Sequence, residues 1–342
     1  MQLIVLGLNH KTAPVEIRER FNFSQDRTVR VLRRLRNNDN LNEAVLLSTC
    51  NRTELYMVLE DPAAGLHFIR TLLRHLAGEQ YKPDYFYNLT GINCVRHLFK
   101  VASSLDSLII GEGQILSQIK NAYHLSRSCG MTDTLFNTLF NRAIAVGKRV
   151  RTETKIAYSS VSVSSAAVDL AIDVVGDLTK ANILVLGAGR MSELTARHLI
   201  DKGAKTIFVS NRNLSHAQEL AEKFNGTAIP YNEFMHQAIT SDIIITSTGA
   251  PHYVITEQGV RDIIPKRSGK PLILVDIAVP RDVDPLVGDI EGVTLYNIDD
   301  LEGVVDMNKN FRSSEAKVAE AIIDEERTAA LSDDAACNGS AA

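Results

Sequence analysis

No stretch of this sequence approaches the ~18 uninterrupted apolar residues that a membrane-spanning helix requires, so none is read as crossing a bilayer. The start carries no basic leader and no cleavage site. Instead Met1-Gln2-Leu3-Ile4-Val5-Leu6-Gly7 begins a strand at once, and a cytoplasmic protein is expected. Cysteine is scarce: Cys50, Cys94, Cys129 and Cys337 show neither metal-type spacing nor the density of a disulfide framework. That leaves free thiols in a reducing compartment and no metal site. No internal repeat of about 20 to 50 residues is visible, which argues against solenoids and propellers.

What is present suits a globular protein of 342 residues, 45% hydrophobic and 23% charged, long enough for two domains and an appendage. The net charge of -4 hides a division. Residues 1–156 hold 21 Lys and Arg against 14 Asp and Glu, while residues 157–342 hold 16 against 27. A basic half beside an acidic half fits an enzyme that holds a polyanionic substrate on one domain, although drift in composition would produce the same numbers.

The first half reads as β-α-β-β-α with a further short strand near Tyr85–Leu89, an α+β sandwich of the split βαβ type. Ser24 is placed to cap a helix carrying Val29, Val31, Leu32 and Leu35, and Leu66, Ile69, Leu72, Leu73 and Leu76 recur at helical spacing after Asp61-Pro62. From Asn93 to Glu153 the pattern is helical, and a last helix, Ser160–Val175, is rich in small residues that would let it lie close on a sheet. After Lys180 strands and helices alternate, which predicts a doubly wound parallel sheet of Rossmann type. The domains expected are 1–156, catalytic; 157–300, nucleotide-binding; 301–330, the start of a long helix with a seam of Leu301, Val304, Phe311, Val318 and Ile322; and 331–342, a disordered tail.

Two stretches carry chemistry. Ser48-Thr49-Cys50-Asn51-Arg52 joins the apolar runs Ala44–Leu47 and Leu55–Leu59, so Cys50 sits on a loop between strands. There the arginine two residues on would favour the nucleophilic thiolate; an inert buried cysteine is the competing reading. Further on, Gly187-Ala188-Gly189-Arg190-Met191-Ser192 follows the strand Ile183–Leu186 and opens a helix, with Ser192 at the third glycine position. Such a turn brings backbone N–H groups up to a pyrophosphate. The next strand ends in Ser210-Asn211-Arg212, where an NAD enzyme would present a carboxylate; hydroxyl, amide and guanidinium groups suit the 2'-phosphate of NADP(H).

Together these stretches resemble the glutamyl-tRNA reductase family, through Gly7-Leu8-Asn9-His10-Lys11-Thr12-Ala13-Pro14, Leu47–Glu54, Leu105-Asp106-Ser107 through Leu116, Lys148–Thr154 and Val275–Asp282. The resemblance implies NADPH-dependent reduction of glutamyl-tRNA(Glu) to glutamate-1-semialdehyde, the first committed step of tetrapyrrole biosynthesis. It further implies a thioester on Cys50, proton transfer by His97, and substrate contacts from Thr49, Asn51, Arg52, Ser107, Glu112, Gly113, Gln114 and Gln118. Within that set, Arg52 would grip a substrate carboxylate with its fork and Glu112 would take the α-ammonium. Glutamate-1-semialdehyde aminotransferase is the implied recipient of the product. Members are homodimers through a further helical domain; the chain stops before it, so a monomer or weak dimer is expected. Gly113 also departs from the proline or aspartate common there. Two alternatives stay open, a shikimate-dehydrogenase-like oxidoreductase and a non-catalytic tRNA-binding or regulatory paralogue.

Overall fold

The structure is a computed structural model in which residues 1–77, 82–156, 163–301 and 315–329 are described. They form two compact units, 163–301 making the second and the remainder the first. Val304, Phe311 and the expected disordered tail lie outside the described residues.

The first unit runs β1 (Gln2–Asn9), α1 (Val15–Arg18), α2 (Gln25–Leu35), β2 (Leu41–Ser48), β3 (Arg52–Leu59), α3 (Pro62–Ala77), β4 (Tyr87–Thr90), α4 (Gly91–Ala102), α5 (Ile115–Ser128) and α6 (Thr134–Glu153). Its sheet has the order β2-β3-β1-β4 with antiparallel neighbours, the arrangement expected of a split βαβ sandwich. Because successive strand residues face opposite sides, Ile4, Leu6 and Leu8 of β1 join Leu55, Met57 and Leu59 of β3 in a core with α1 to α3. Val5, Tyr56 and Val58 enter a second core with α4, α5 and α6. Both faces are covered, which is why these strands read as continuous apolar runs.

Helix ends are closed both locally and from a distance. Ser24 Oγ accepts from Arg27 N (3.4 Å) at the start of α2, as its position before the apolar run suggests. For α6 the cap comes from β2: the buried Glu43 carboxylate accepts from Asp133 N (2.6 Å) and Phe136 N (2.9 Å), an anion on a helix N-terminus. The helix over 315–329 packs on α4 and α6 through Ala319, Ile322 and Ile323. This corrects the expected seam, since Val318 is 49% exposed. Arg96–Asp324 (2.9 Å), Lys100–Glu320 (2.8 Å) and Arg149–Glu326 (2.8 Å) flank it, so charge pairing sets its register as much as apolar spacing does.

In the second unit α7 (Val163–Val175) is followed by β5 (Asn182–Leu186), α8 (Arg190–Asp201), β6 (Thr206–Asn211), α9 (Leu214–Lys223), β7 (Thr227–Pro230), α10 (Phe234–Ala238), β8 (Ile243–Thr246), α11 (Glu257–Ile263), β9 (Leu272–Asp276) and β10 (Val293–Asn297). The parallel order β10-β9-β8-β5-β6-β7 is that of a dinucleotide-binding sheet, with its switch point between β5 and β8. The small residues of α7 serve close packing on α8 as well as on the sheet, with Ser164 Oγ donating to Met191 O (3.3 Å).

A glycine in the middle of the first sheet makes room for a buried side-chain network. Gly7 of β1 stands between Glu54 on β3 and Tyr87 on β4, and a Cβ there would lie 2.7 Å from Glu54 Cγ and 3.1 Å from Tyr87 Oη. We expect Gly7→Ala to cost about 1–3 kcal/mol in urea unfolding, because the contacting groups are buried and bonded to each other. A change within about 0.5 kcal/mol would show that the space is not needed.

Candidate active site

The turn between β2 and β3 is tied by Thr49. Its backbone N–H donates to Arg52 O (2.8 Å), and its hydroxyl oxygen accepts from Asn51 N (3.2 Å) and Arg52 N (3.1 Å). Thr49 thus holds the turn that presents Cys50, which is half-buried at its tip. The loop after β1 is fastened beneath, as His10 N donates to Asn51 O (3.0 Å). Two buried polar atoms here, Asn51 Oδ1 and His10 Nδ1, have no hydrogen-bond partner among the described residues. Burial, then the charges of Arg52 and Lys11, push the His10 imidazole down to about 3, so it is neutral at physiological pH.

Arg52 points away from this tip and into the fold. Its Nη1 donates to Glu54 Oε1 (2.6 Å) and Asp106 Oδ2 (3.0 Å), and its Nη2 donates to Asp106 O. The fork expected for a substrate carboxylate is therefore engaged by the protein's own acidic groups, because β3 pairing turns this residue inward. Glu54, fully buried, also accepts from Tyr56 Oη (2.6 Å) and Tyr87 Oη (2.5 Å) and meets His97 Nε2 at 2.8 Å. Burial would raise its carboxyl, but Arg52 and then His97 hold it well below the usual carboxylate range. An ionised Glu54 can only accept, so His97 Nε2 is the donor of this bond. Asp106 extends the network to Lys11 Nζ (2.6 Å) and Asn9 Nδ2 (3.4 Å).

The thiol, too, differs from expectation. Burial, and then the Glu112 carboxylate, push Cys50 up to about 12, while Arg18 eases it. Cys50 is thus a thiol in this state, and its cation is Arg18 rather than Arg52. Glu112 is itself raised by burial. Its loop is gathered by Arg151, whose Nη2 donates to Glu112 O (3.1 Å) and Ser104 Oγ (3.2 Å) and whose Nη1 donates to Gly113 O (3.1 Å). Ser107 is buried in that loop, Gln114 precedes α5, and Gln118 faces a different cleft, with Ser48. The sequence reading assigned no role to Glu54, Asp106, Arg18, His10 or Arg151. All but Arg18 lie within the motifs that carry the family resemblance, so motif membership was the available signal; the contacts were not.

In the second unit a cleft of about 330 Å³ opens at the ends of β5, β6 and β8, lined by Gly187, Ala188, Gly189, Ser210, Asn211, Arg212, His216, Tyr231, Ser247, Thr248 and Gly249. These residues fit a dinucleotide. Gly187 has φ +111°, and a Cβ there would strike Ser247 O at 2.8 Å, whereas nothing lies within 4 Å of a Cβ at Gly189. Ser210 Oγ is buried with no partner among the described residues, inside the same cleft. Arg190, Met191 and Ser192 do not line it; Ser192 is buried and bonds Ser247 Oγ (2.7 Å), tying the glycine turn to β8. His216, Tyr231 and Thr248 come from other elements and had no motif to mark them. Asp282 accepts from Thr248 N (2.7 Å), and the charge of Arg212 acts on it against the upward push of burial.

Replacing Glu112 by Gln removes the anion that opposes Cys50 ionisation. Alkylation of Cys50 by iodoacetamide, followed at pH 8 by peptide mapping, should then speed up by about threefold per unit of lowered thiol pKa, since the gain in thiolate outweighs its weaker nucleophilicity. A rate unchanged or slower would show that Glu112 does not govern the thiol.

Known proteins resemble the chain along most of its length. A family model described as the N-terminal domain of glutamyl-tRNAGlu reductase fits residues 6–154, and one described as shikimate / quinate 5-dehydrogenase fits residues 169–304. The chain is 46% identical over 329 residues to the glutamyl-tRNA reductase of Trichlorobacter lovleyi, spanning 95% of this chain and 76% of that one. It is 45% identical to that of Brevibacillus brevis, over 95% and 72% of the two chains. The solved glutamyl-tRNA reductase of Methanopyrus kandleri superposes with a TM-score of 0.51 at 36% identity, over 97% of this chain and 80% of that one. Such identity across nearly the whole length, in both units at once, means that the chain belongs to the glutamyl-tRNA reductase family.

Proposed function

We propose that this chain reduces glutamyl-tRNA(Glu) to glutamate-1-semialdehyde, the entry step to tetrapyrroles, through a thioester on Cys50 and at the expense of NADPH. The observation that carries the reading is the Thr49-tied turn, which presents a cysteine two residues before an Arg52 that is hydrogen-bonded into a network with Glu54 and His97. A shikimate-dehydrogenase-like activity would account for residues 169–304 and leave that turn without a task.

Cys50 rests as a thiol because of burial and Glu112. When the glutamyl α-ammonium pairs with Glu112, the anion opposing ionisation is neutralised and the thiol is eased toward its thiolate, although burial, the larger influence, still holds it up. The Cys50 thiol then gives up its proton as the sulfur bonds to the ester carbon and the ester C–O bond breaks, and that same proton leaves with the terminal ribose oxygen. His97 Nδ1, oriented by the Nε2 bond to Glu54, is the nitrogen suited to carry that proton. The bound nicotinamide supplies the hydride for the thioester carbonyl. Breaking the C–S bond releases the aldehyde, and the departing thiolate takes up a proton to restore Cys50.

Gly187, Ala188 and Gly189 would hold the pyrophosphate, and Ser210, Asn211 and Arg212 the 2'-phosphate, with no carboxylate at the end of β6 to repel it. Arg52 becomes a positioning residue, since its guanidinium fixes Glu54 and Asp106. Among the described residues no helix is long and apolar enough to cross a membrane.

With labelled glutamyl-tRNA and no NADPH, the wild type should accumulate protein-bound glutamate and Cys50→Ala should not; equal labelling of both would overturn the thioester. For the cofactor, Arg212→Ala should weaken NADPH binding by about 1.5–3 kcal/mol and leave NADH nearly unchanged, as titration of each reads directly. Equal losses for the two would remove Arg212 from phosphate recognition.

A further inference from the structure

The two oxygens of the buried Glu54 carboxylate are loaded unequally. Oε1 accepts from Arg52 Nη1 (2.6 Å), Tyr87 Oη (2.5 Å) and His97 Nε2 (2.8 Å), whereas Oε2 accepts from Tyr56 Oη (2.6 Å). A carboxylate oxygen offers about two lone-pair sites, so three donors share at Oε1 what suits two. Each bond is weaker for the sharing. The bond to His97 is the longest of the three, and it is the one that orients the imidazole.

The donors are held differently. Arg52 is buried and also bonded to Asp106 through Nη1 (3.0 Å) and Nη2. Tyr87 stands on β4, at the edge of the sheet, and is half-buried. It reaches Glu54 across β1, through the space that Gly7 leaves, and its ring meets that of His97 edge to face at 5.4 Å. Burial, and then the Glu54 charge, raise the Tyr87 hydroxyl well above its ordinary range, so it remains a donor at physiological pH. The charged and titratable groups around His97 are Glu54, Arg52 and Tyr56 from β3, Tyr87 from β4, Asp106 from the loop after α4 and Cys94 on its own helix. Arg96 and Lys100, also on α4, turn instead to Asp324 and Glu320.

We propose that Tyr87 is a positioning residue whose hydroxyl divides Glu54 Oε1 with His97, and so limits how far the carboxylate stabilises the protonated imidazole. The inference rests on the reading above in which His97 carries a proton between Cys50 and the ribose oxygen. With the hydroxyl in place, Glu54 aligns the ring, yet the imidazolium gives its proton readily to the leaving oxygen. Without it, Oε1 is left to Arg52 and His97, the Nε2 bond tightens, and the imidazole keeps its second proton to higher pH.

Tyr87→Phe keeps the ring and removes the oxygen. In NMR spectra of the full chain without substrate, the His97 Nε2 proton, assigned by its loss in His97→Asn, should move downfield in Tyr87→Phe. Tyr56→Phe, which unloads Oε2, should move it less. In the labelling reaction with glutamyl-tRNA and no NADPH, the acid limb of the rate against pH should move up by about half a unit in Tyr87→Phe. An Nε2 proton that stays in place or moves upfield in Tyr87→Phe, or that moves as far in Tyr56→Phe, overturns the proposal, as does an unmoved acid limb. An acid limb that persists unchanged in His97→Asn sinks instead the proton-transfer reading. The Nε2 shift, measured without substrate, tells the two failures apart.

Discussion

A single buried carboxylate organises the first unit. Glu54 accepts from Arg52, Tyr56 and Tyr87 and orients His97, with no exposure to water. An ion in such a place is tolerable only when its charge and lone pairs are met, and here the donors come from β3, β4 and α4. The carboxylate therefore clamps two strands and a helix together while fixing the imidazole. Gly7, with no side chain, leaves the gap through which Tyr87 reaches it. Losing one partner would leave the others buried and unpaired, so the group behaves as a unit.

Cys50 is treated in the opposite way. Cys50 stands at the tip of a turn, and its surroundings disfavour the charged form. Rigid support and a resting thiol are compatible, since the turn fixes where the sulfur is while burial and Glu112 keep it protonated.

The nucleotide-binding unit is prepared in advance. Gly187 takes a backbone conformation that L side chains rarely adopt, Ser192 bonds Ser247 to join two strand ends, and Ser210 keeps a buried hydroxyl with no partner among the described residues. Asp276 accepts from Thr246 Oγ1 (2.8 Å) and from the backbone of Ala278, Asp282 and Val283, and so shapes the loop that ends β9 and carries Asp282 toward Thr248.

Local patterns in the chain were enough to determine the architecture. Alternating strands and helices after Lys180 specify the parallel sheet, the apolar runs around Ser48–Arg52 specify the hairpin, and Gly187-Ala188-Gly189 marks its own cleft, because periodicity and turn chemistry act over a few residues. Family resemblance singled out Cys50 and His97 as candidates for one site. What Arg52 and Cys50 experience was decided only by the tertiary structure. Two residues apart in sequence, they occupy different surroundings: strand pairing turns the arginine inward to Glu54 and Asp106, while the cysteine answers to Glu112 and Arg18. Charge acts through space, so the proximity of Arg52 in sequence misled where the distant residues of the fold prevailed. For the same reason the partnership of Glu43 with α6, and that of the 315–329 helix with α4 and α6, had no local signal: each joins segments far apart in the chain, and only packing brings their charges within reach.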